Sequence, residues 1–201
     1  SKAGNDNATT ADGNDATLID SNDSVRAGPE GTQKLPRSLP MRQGTDLSGA
    51  QLREYRLVRK IAKGGMGEVY EGVQLALDRR VAVKIIAEEL VTDDSFLQRF
   101  EREAKSSAAL NHPNVAQVYD FGKDGERHFL VLEYVEGVDL SRHVKEHGPL
   151  SVADGVSVAR QVASALKFAL NQSIIHRDIK PANIIWTPEK IAKITDLGLA
   201  K

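Results

Sequence analysis

The residues best suited to chemistry lie in two short stretches late in the 201-residue sequence. These are Ile175-His176-Arg177-Asp178-Ile179-Lys180-Pro181-Ala182-Asn183 and Ile194-Thr195-Asp196-Leu197-Gly198. They place two aspartates, an asparagine and a lysine in loops beside strand-like segments. Carboxylate and amide oxygens are hard ligands of the kind Mg²⁺ selects, and an ammonium is a counter-charge for phosphate. Taken alone, His-Arg-Asp also reads as a solvated turn. Upstream, Ala62-Lys63-Gly64-Gly65-Met66-Gly67-Glu68-Val69-Tyr70 forms a glycine loop between two expected strands. Missing Cβ atoms let backbone N–H groups approach phosphate oxygens, although a ligand-free hairpin turn has the same composition. The next strand, Val81-Ala82-Val83-Lys84, sets a lysine in an apolar run. That is costly unless the ammonium finds an anion or snorkels from a sheet edge to water. Glu103 is the expected partner, with Glu101 and Glu89 as competitors. A lysine held by a helix glutamate and reaching phosphates is what phosphoryl transfer needs.

These side chains require rigid elements to hold them. Runs rich in β-branched residues at 55–61, 68–73 and 80–86 predict three strands joined by short turns, hence an antiparallel sheet. After Asp93-Asp94-Ser95, a helix start, Phe96, Leu97, Phe100, Ala104, Ala108 and Leu110 fit one buried helical face, and Asn111-His112-Pro113-Asn114 stops the helix. Two more strands are expected at 115–121 and 128–134, around a Lys123-Asp124-Gly125-Glu126 turn. Past Gly137 the pattern becomes helical, with a short helix over 139–144 and a long one from Ser151 to about Leu170. The long one repeats Val152, Val156, Ala159, Val162, Ala163, Leu166 and Leu170 at helical spacing. Strand-like pieces return at 183–186 and 191–194. The expectation is an α+β, two-lobed fold: a first lobe over 55–136 with five strands and one helix, then a partial helical lobe over 137–201.

Composition narrows the classes of function. With 27 basic and 28 acidic residues, net charge −1, nothing favours nucleic acid or a membrane surface as partner. There is no cysteine, so neither disulfides nor thiolate metal sites occur in this stretch, which fits a reducing compartment. No apolar run approaches membrane-spanning length, and the start lacks the basic and apolar regions of a signal peptide. A sequence opening without methionine is expected to be a fragment, a processed chain or an incomplete frame. Residues 1–54 read as a disordered leader, with no aromatic before Tyr55 and too little apolar surface to offset ordering entropy. The run Ala16-Thr17-Leu18-Ile19 within it reads as linker rather than docking peptide.

The ordered motifs, from the glycine loop through Val-Ala-Val-Lys and His-Arg-Asp to Thr-Asp-Leu-Gly, resemble the protein kinase superfamily over about 55–201. The resemblance implies ATP and Mg²⁺ as cofactors and assigns roles. Lys84 is expected on the α- and β-phosphates, held by Glu103. Asp178 orients the acceptor hydroxyl and takes its proton, Lys180 steadies the γ-phosphate, and Asn183 and Asp196 hold metal ions. Ile61, Ala62, Lys63, Gly64, Gly65, Met66 and Gly67 are expected around the nucleotide. Leu132 falls at the gatekeeper position, and Glu133-Tyr134-Val135 forms the hinge that hydrogen-bonds adenine. Ile61, Val69, Ala82 and Ile185 sandwich the ring, though each also reads as ordinary core, and Asp139 reaches the ribose. Lysine two residues after Asp178 is the serine/threonine-kinase pattern, so the implied partner is a protein with a Ser or Thr acceptor. Arg177 before Asp178 implies control through phosphorylation of an activation loop. The Gly64-Gly65-Met66-Gly67 loop and the stretch from Phe100 to Val115 are similar to eukaryotic-like bacterial kinases. A cytoplasmic kinase domain, with or without a membrane anchor in the parent, is the matching location.

Two positions depart from the commonest family pattern. Ala62 replaces the first glycine of G-x-G-x-x-G, and Leu197 replaces the phenylalanine of D-F-G. Neither removes a phosphate or metal ligand, so an active parent kinase is expected. The 201 residues stop short of an activation loop and the later helices, so this piece alone is expected to be nearly inactive, with an apolar helix face uncovered. Two other readings are weighed: a nucleotide-binding scaffold, disfavoured by the complete set of polar residues, and a small-molecule kinase, disfavoured by Lys180 and Pro181.

Overall fold

The computed structural model describes residues 46–196. The leader up to residue 45, including Ala16-Thr17-Leu18-Ile19, and Leu197 and Gly198 of the last motif lie outside them. Six strands form one antiparallel sheet in the order β1-β2-β3-β4-β6-β5: β1 Gln51–Leu52, β2 Tyr55–Gly64, β3 Gly67–Gln74, β4 Arg79–Ile86, β5 Val118–Asp124 and β6 Arg127–Glu133. The sheet curls so that its two ends meet. The Arg53 N–H donates to Asp124 Oδ2 (3.0 Å), and the Tyr55 hydroxyl donates to Asp120 Oδ2 (2.9 Å). Inside the curl, alternate residues of each strand pack together, among them Leu57, Tyr70, Val81, Val83, Phe129 and Val131.

Two helices follow β4: a single turn, α1 Glu88–Val91, and α2 Asp94–Ala108. The start of α2 is set by Asp93, whose carboxylate accepts from the N–H groups of Ser95 (2.8 Å) and Phe96 (3.3 Å). Its Phe100 and Ala104 pack with Ile86, Val118, Leu130 and Leu132 on the other face of the sheet. Ala108, expected on the buried face, is exposed, and Ser107 is buried instead.

The second lobe contains a three-stranded sheet, β7 Val138–Asp139, β8 Ile184–Trp186 and β9 Ala192–Ile194, with helices α3 Leu140–His147 and α4 Val152–Asn171. Ser151 caps α4, its Oγ accepting from the Asp154 N–H (3.1 Å). Val158, Ala165 and Ala169 of α4 are buried, packing in two clusters with Leu110, Val115 and Ile194 and with Ile184 and Trp186. No helix among the described residues is long and apolar enough to cross a membrane.

The structure corrects two expectations from the sequence. Chain order starts earlier than Tyr55: Leu47 and Leu52 are buried in the curl, the Leu47 N–H donates to the Tyr70 hydroxyl (3.2 Å), and the sheet has six strands rather than five. A few isolated apolar residues suffice there because a preformed sheet supplies the surface they cover. The strand expected from residue 115 starts at Val118, because Val115 and Ala116 are taken up by the second lobe. Val115 forms a parallel bridge with Ile194, and the Ala116 N–H donates to Ile194 O (2.9 Å). The apolar helix face expected to lie uncovered does so among the described residues: Val152, Val156 and Leu170 are exposed at 85%, 63% and 62%. α4 has two apolar sides, and the described residues cover the other one.

Candidate functional site

The site begins with strand alternation. On β4, Val81, Val83 and Ile85 point into the curl, which turns Ala82 and Lys84 to the opposite face. Lys84 lies between Val69 of β3 and Leu130 of β6 and is 5% exposed. A buried ammonium needs a counter-charge. Here it is Asp196, whose Oδ1 is 2.7 Å from Lys84 Nζ.

The expected Lys84–Glu103 pair is therefore not the one formed. Glu103 Oε1 instead receives Arg177 Nη1 at 3.2 Å. Both aspartate and glutamate are suitable partners, and spacing along the chain cannot rank them; the approach of the 176–196 loops beneath the sheet does. Arg177 (φ 66°) and Asp196 (φ 56°) both sit in the left-handed region, where a non-glycine residue stores roughly 1–3 kcal/mol of strain. These two conformations accompany two of the cross-lobe ion pairs, Arg177–Glu103 and Lys84–Asp196.

Around Asp178 the loop is held by side chains. The Asp178 N–H donates to His176 Nδ1 (3.3 Å), and His176 Nε2 faces Thr195 O (3.0 Å). A carbonyl only accepts, so the proton of this buried imidazole belongs on Nε2. The 3₁₀ turn Pro181–Asn183 then brings Asn183 back, its amide nitrogen donating to Asp178 O (2.8 Å) and Oδ2 (3.1 Å). Lys180 Nζ lies 2.7 Å from Asp178 Oδ2. The Lys180 ammonium holds the Asp178 carboxyl below the ordinary carboxylate range; slight burial opposes this, and the Asn183 amide reinforces it. The Thr195 N–H donates to Asn183 O (2.9 Å), joining this loop to Asp196.

The glycine loop closes β2 onto β3, with Lys63 opposite Glu68 and Gly64 opposite Gly67. Gly67 has φ 134°, and a Cβ there would lie 1.9 Å from Ile85 O, so only glycine fits. Gly64 and Gly65 face open space. Met66, expected at the nucleotide, packs its side chain toward the α2 cluster, leaving its backbone at the loop tip. Lys63 pairs with Glu68 (3.4 Å), and Ala62 is exposed, opposite Val69. Ile61 sits at the irregularity between Lys60 and Ala62 and is 40% exposed. Ala82 and Leu132 are register partners, as are Asp139 and Ile185. Asp139 also caps α3 by accepting from the Arg142 N–H (2.9 Å). Val135 is half-buried in the hinge. Glu133 turns its side chain away toward Lys193 Nζ (2.8 Å), and its N–H donates to Gln117 O (2.8 Å).

The residues fit a nucleotide with its metal. Open glycine backbone, a buried lysine and the oxygens of Asn183 and Asp196 are a phosphate and Mg²⁺ donor set. Among the described residues no cluster of three or more His, Cys, Asp or Glu forms a self-contained metal site. Mg²⁺ is a cation that takes one or two protein oxygens and completes its shell with phosphate and water.

Reasoning from the sequence missed the Arg177–Glu103 pair, the Glu133–Lys193 pair, and the Glu71 carboxylate held by Arg59 (2.6 Å) and Arg80 (2.9 Å). The alternation of charged residues on β2, β3 and β4 was the available signal for the last.

Comparison with known proteins agrees with this geometry. The family model described as "Protein kinase domain" matches residues 55–201. Serine/threonine-protein kinase PknA of Mycobacterium tuberculosis is 44% identical over 165 residues, covering 80% of this chain and 37% of PknA. Serine/threonine-protein kinase PrkC of Bacillus subtilis is 40% identical over 146 residues, covering 73% of this chain and 22% of PrkC. The chain thus spans well under half the length of these relatives. Among solved structures, the kinase domain of M. tuberculosis PknI superposes with TM-score 0.67 at 31% identity, covering 77% of this chain and 63% of that one. Fold, loop chemistry and similarity agree, and the chain belongs to the protein kinase domain family.

Proposed function

We propose that this chain is the nucleotide-binding and catalytic-loop part of an enzyme that transfers the γ-phosphoryl group of ATP to serine or threonine hydroxyls of proteins. One observation carries the reading. Lys84 pairs with Asp196, whose chain neighbour Thr195 bonds Asn183 O, and Asn183 in turn holds Asp178, the partner of Lys180. Bound ATP with Mg²⁺ supplies the transferable group and neutralises charge on the departing ADP.

The protein residues do the rest. Asp178, kept ionised by Lys180, accepts a hydrogen bond from the acceptor hydroxyl and takes its proton on a carboxylate oxygen. Asn183 and Asp196 hold the metal, while Lys84 and Lys180 hold phosphate oxygens. Ile61, Val69, Ala82 and Ile185 line the adenine slot, the backbone of Glu133 and Val135 borders it, and Asp139 meets the ribose. The Ala62–Gly67 backbone covers the phosphates. Working geometry requires Glu103 to exchange Arg177 for Lys84. Lys180, two residues after Asp178, supports serine and threonine over tyrosine as acceptors, and the need for ATP fits a cytoplasmic site.

The test uses the full-length protein with γ-labelled ATP and paired serine and tyrosine peptides. Label is expected on serine, and Asp178→Asn is expected to lower the rate about 10²–10⁴-fold. Incorporation that Asp178→Asn leaves unchanged would overturn the proposal.

A further inference from the structure

We infer that Arg59, Glu71 and Arg80 form a strap tying the strands that roof the nucleotide site to the hinge, with Arg80 a positioning residue for adenine binding. This rests on the reading that the cleft beneath Val69 and Ala82 takes ATP. Strand pairing between β4 and β6 reaches Val81 opposite Glu133, and Tyr134 to Glu136 continue outside any strand. Arg80 immediately precedes Val81, so its side chain takes over where the backbone ladder ends. Its guanidinium carbon lies 4.1 Å from the centroid of the Tyr134 ring, and its Nη1 lies 3.8 Å from Glu136 Oε2.

The other end of the strap is Glu71. Its Oε1 receives Arg80 Nη2 (2.9 Å) and Nε (3.1 Å), and its Oε2 receives Arg59 Nη2 (2.6 Å). One carboxylate therefore joins β2, β3 and β4, and through Arg80 the hinge. Register places this on the roof itself. Arg59, Glu71 and Ala82 form one cross-strand row, and Ala62, Val69 and Lys84 form the row two residues along on β3, hence on the same face. Exposed ion pairs seldom justify holding two long side chains in one geometry. Glu71, however, is 9% exposed, and a buried carboxylate with two guanidiniums fixes both. A planar guanidinium over an aromatic face adds an orientation that a lysine cannot reproduce.

If the strap sets the spacing between roof and hinge, loosening it weakens nucleotide binding without touching the transfer chemistry. The full-length protein, Arg80→Leu, Arg80→Lys and Glu71→Gln would be compared by titration with a fluorescent ATP analogue and by steady-state kinetics at varied ATP. Arg80→Leu is expected to raise both Kd and KM for ATP about three- to tenfold, with kcat at saturating ATP within about twofold. Glu71→Gln, which releases both arginines, should do the same, and Arg80→Lys should fall between, since it keeps the charge on Glu71 but loses the stack. A purely structural role predicts lower melting temperature and lower kcat at unchanged KM, and that pattern would overturn the inference. Should Arg80→Leu fail to fold, Glu71→Gln with unchanged Kd would overturn it equally. Unmodified protein that binds no analogue would instead sink the kinase reading and the strap with it.

Discussion

Asp178 carries its charge close to Lys180, and that proximity has a titratable consequence. The ammonium depresses the carboxyl's pKa, so the proton-accepting form persists to lower pH than an isolated aspartate would allow. Removing it with Lys180→Met raises the pKa, so the acid limb of the pH dependence of kcat/KM should move to higher pH. A limb that stays in place would mean that Lys180 does not set the charge on Asp178. Lys84 admits a sharper prediction. Its stem fills apolar space between Val69 and Leu130, and its only ion pair among the described residues is with Asp196, itself one-third exposed. Methionine keeps the stem and removes the charge, so Lys84→Met should retain its melting temperature within a few degrees while losing transfer about 10²–10³-fold at saturating ATP. Equal loss of melting temperature and activity would point to a structural role.

At the scale of elements, the glycine loop and the first strand make different demands. Gly67→Ala drives a Cβ into the Ile85 carbonyl from a backbone conformation that L-residues avoid. It should cost about 2 kcal/mol or more, read by denaturant unfolding of the full-length protein, whereas Gly65→Ala, facing open space, should cost under about 1 kcal/mol. The segment just before β1 offers a test of a region that the sequence presents as leader. Leu47 is 7% exposed in the cluster with Leu57, Tyr70 and Val83. Leu47→Ala should therefore destabilise by about 2–4 kcal/mol, as a core truncation does, and an effect within about 0.5 kcal/mol would return the segment to the leader.

For the whole molecule, the informative surface is the second apolar side of α4. Val152, Val156 and Leu170 are exposed among the described residues, while Val158, Ala165 and Ala169 hold the helix in place. The 201-residue chain on its own should self-associate through that side, and Val156→Glu should raise the monomer fraction in light scattering without lowering the melting temperature. A fall in melting temperature would show that Val156 is packed in solution.

Much of this was legible from residue types and spacing. The glycine loop, the lysine strand, the Asp93 cap and the order of the two aspartate loops depend on local chemistry: backbone freedom, alternation and hydrogen-bond capacity act over a few residues, so they can be read in order along the chain. Of α4 the spacing showed an apolar face from Val152 to Leu170, but not the buried side formed by Val158, Ala165 and Ala169, since periodicity shows that a face is apolar but not which neighbour covers it. Tertiary structure alone decided the pairing of charges. Lys84 had three glutamates as candidates and took Asp196, Glu103 took Arg177, and Glu71 gathered two arginines. An ion pair is chosen by distance and burial in space, and residues separated by up to 112 positions carry no local mark of which partner the fold will bring within reach.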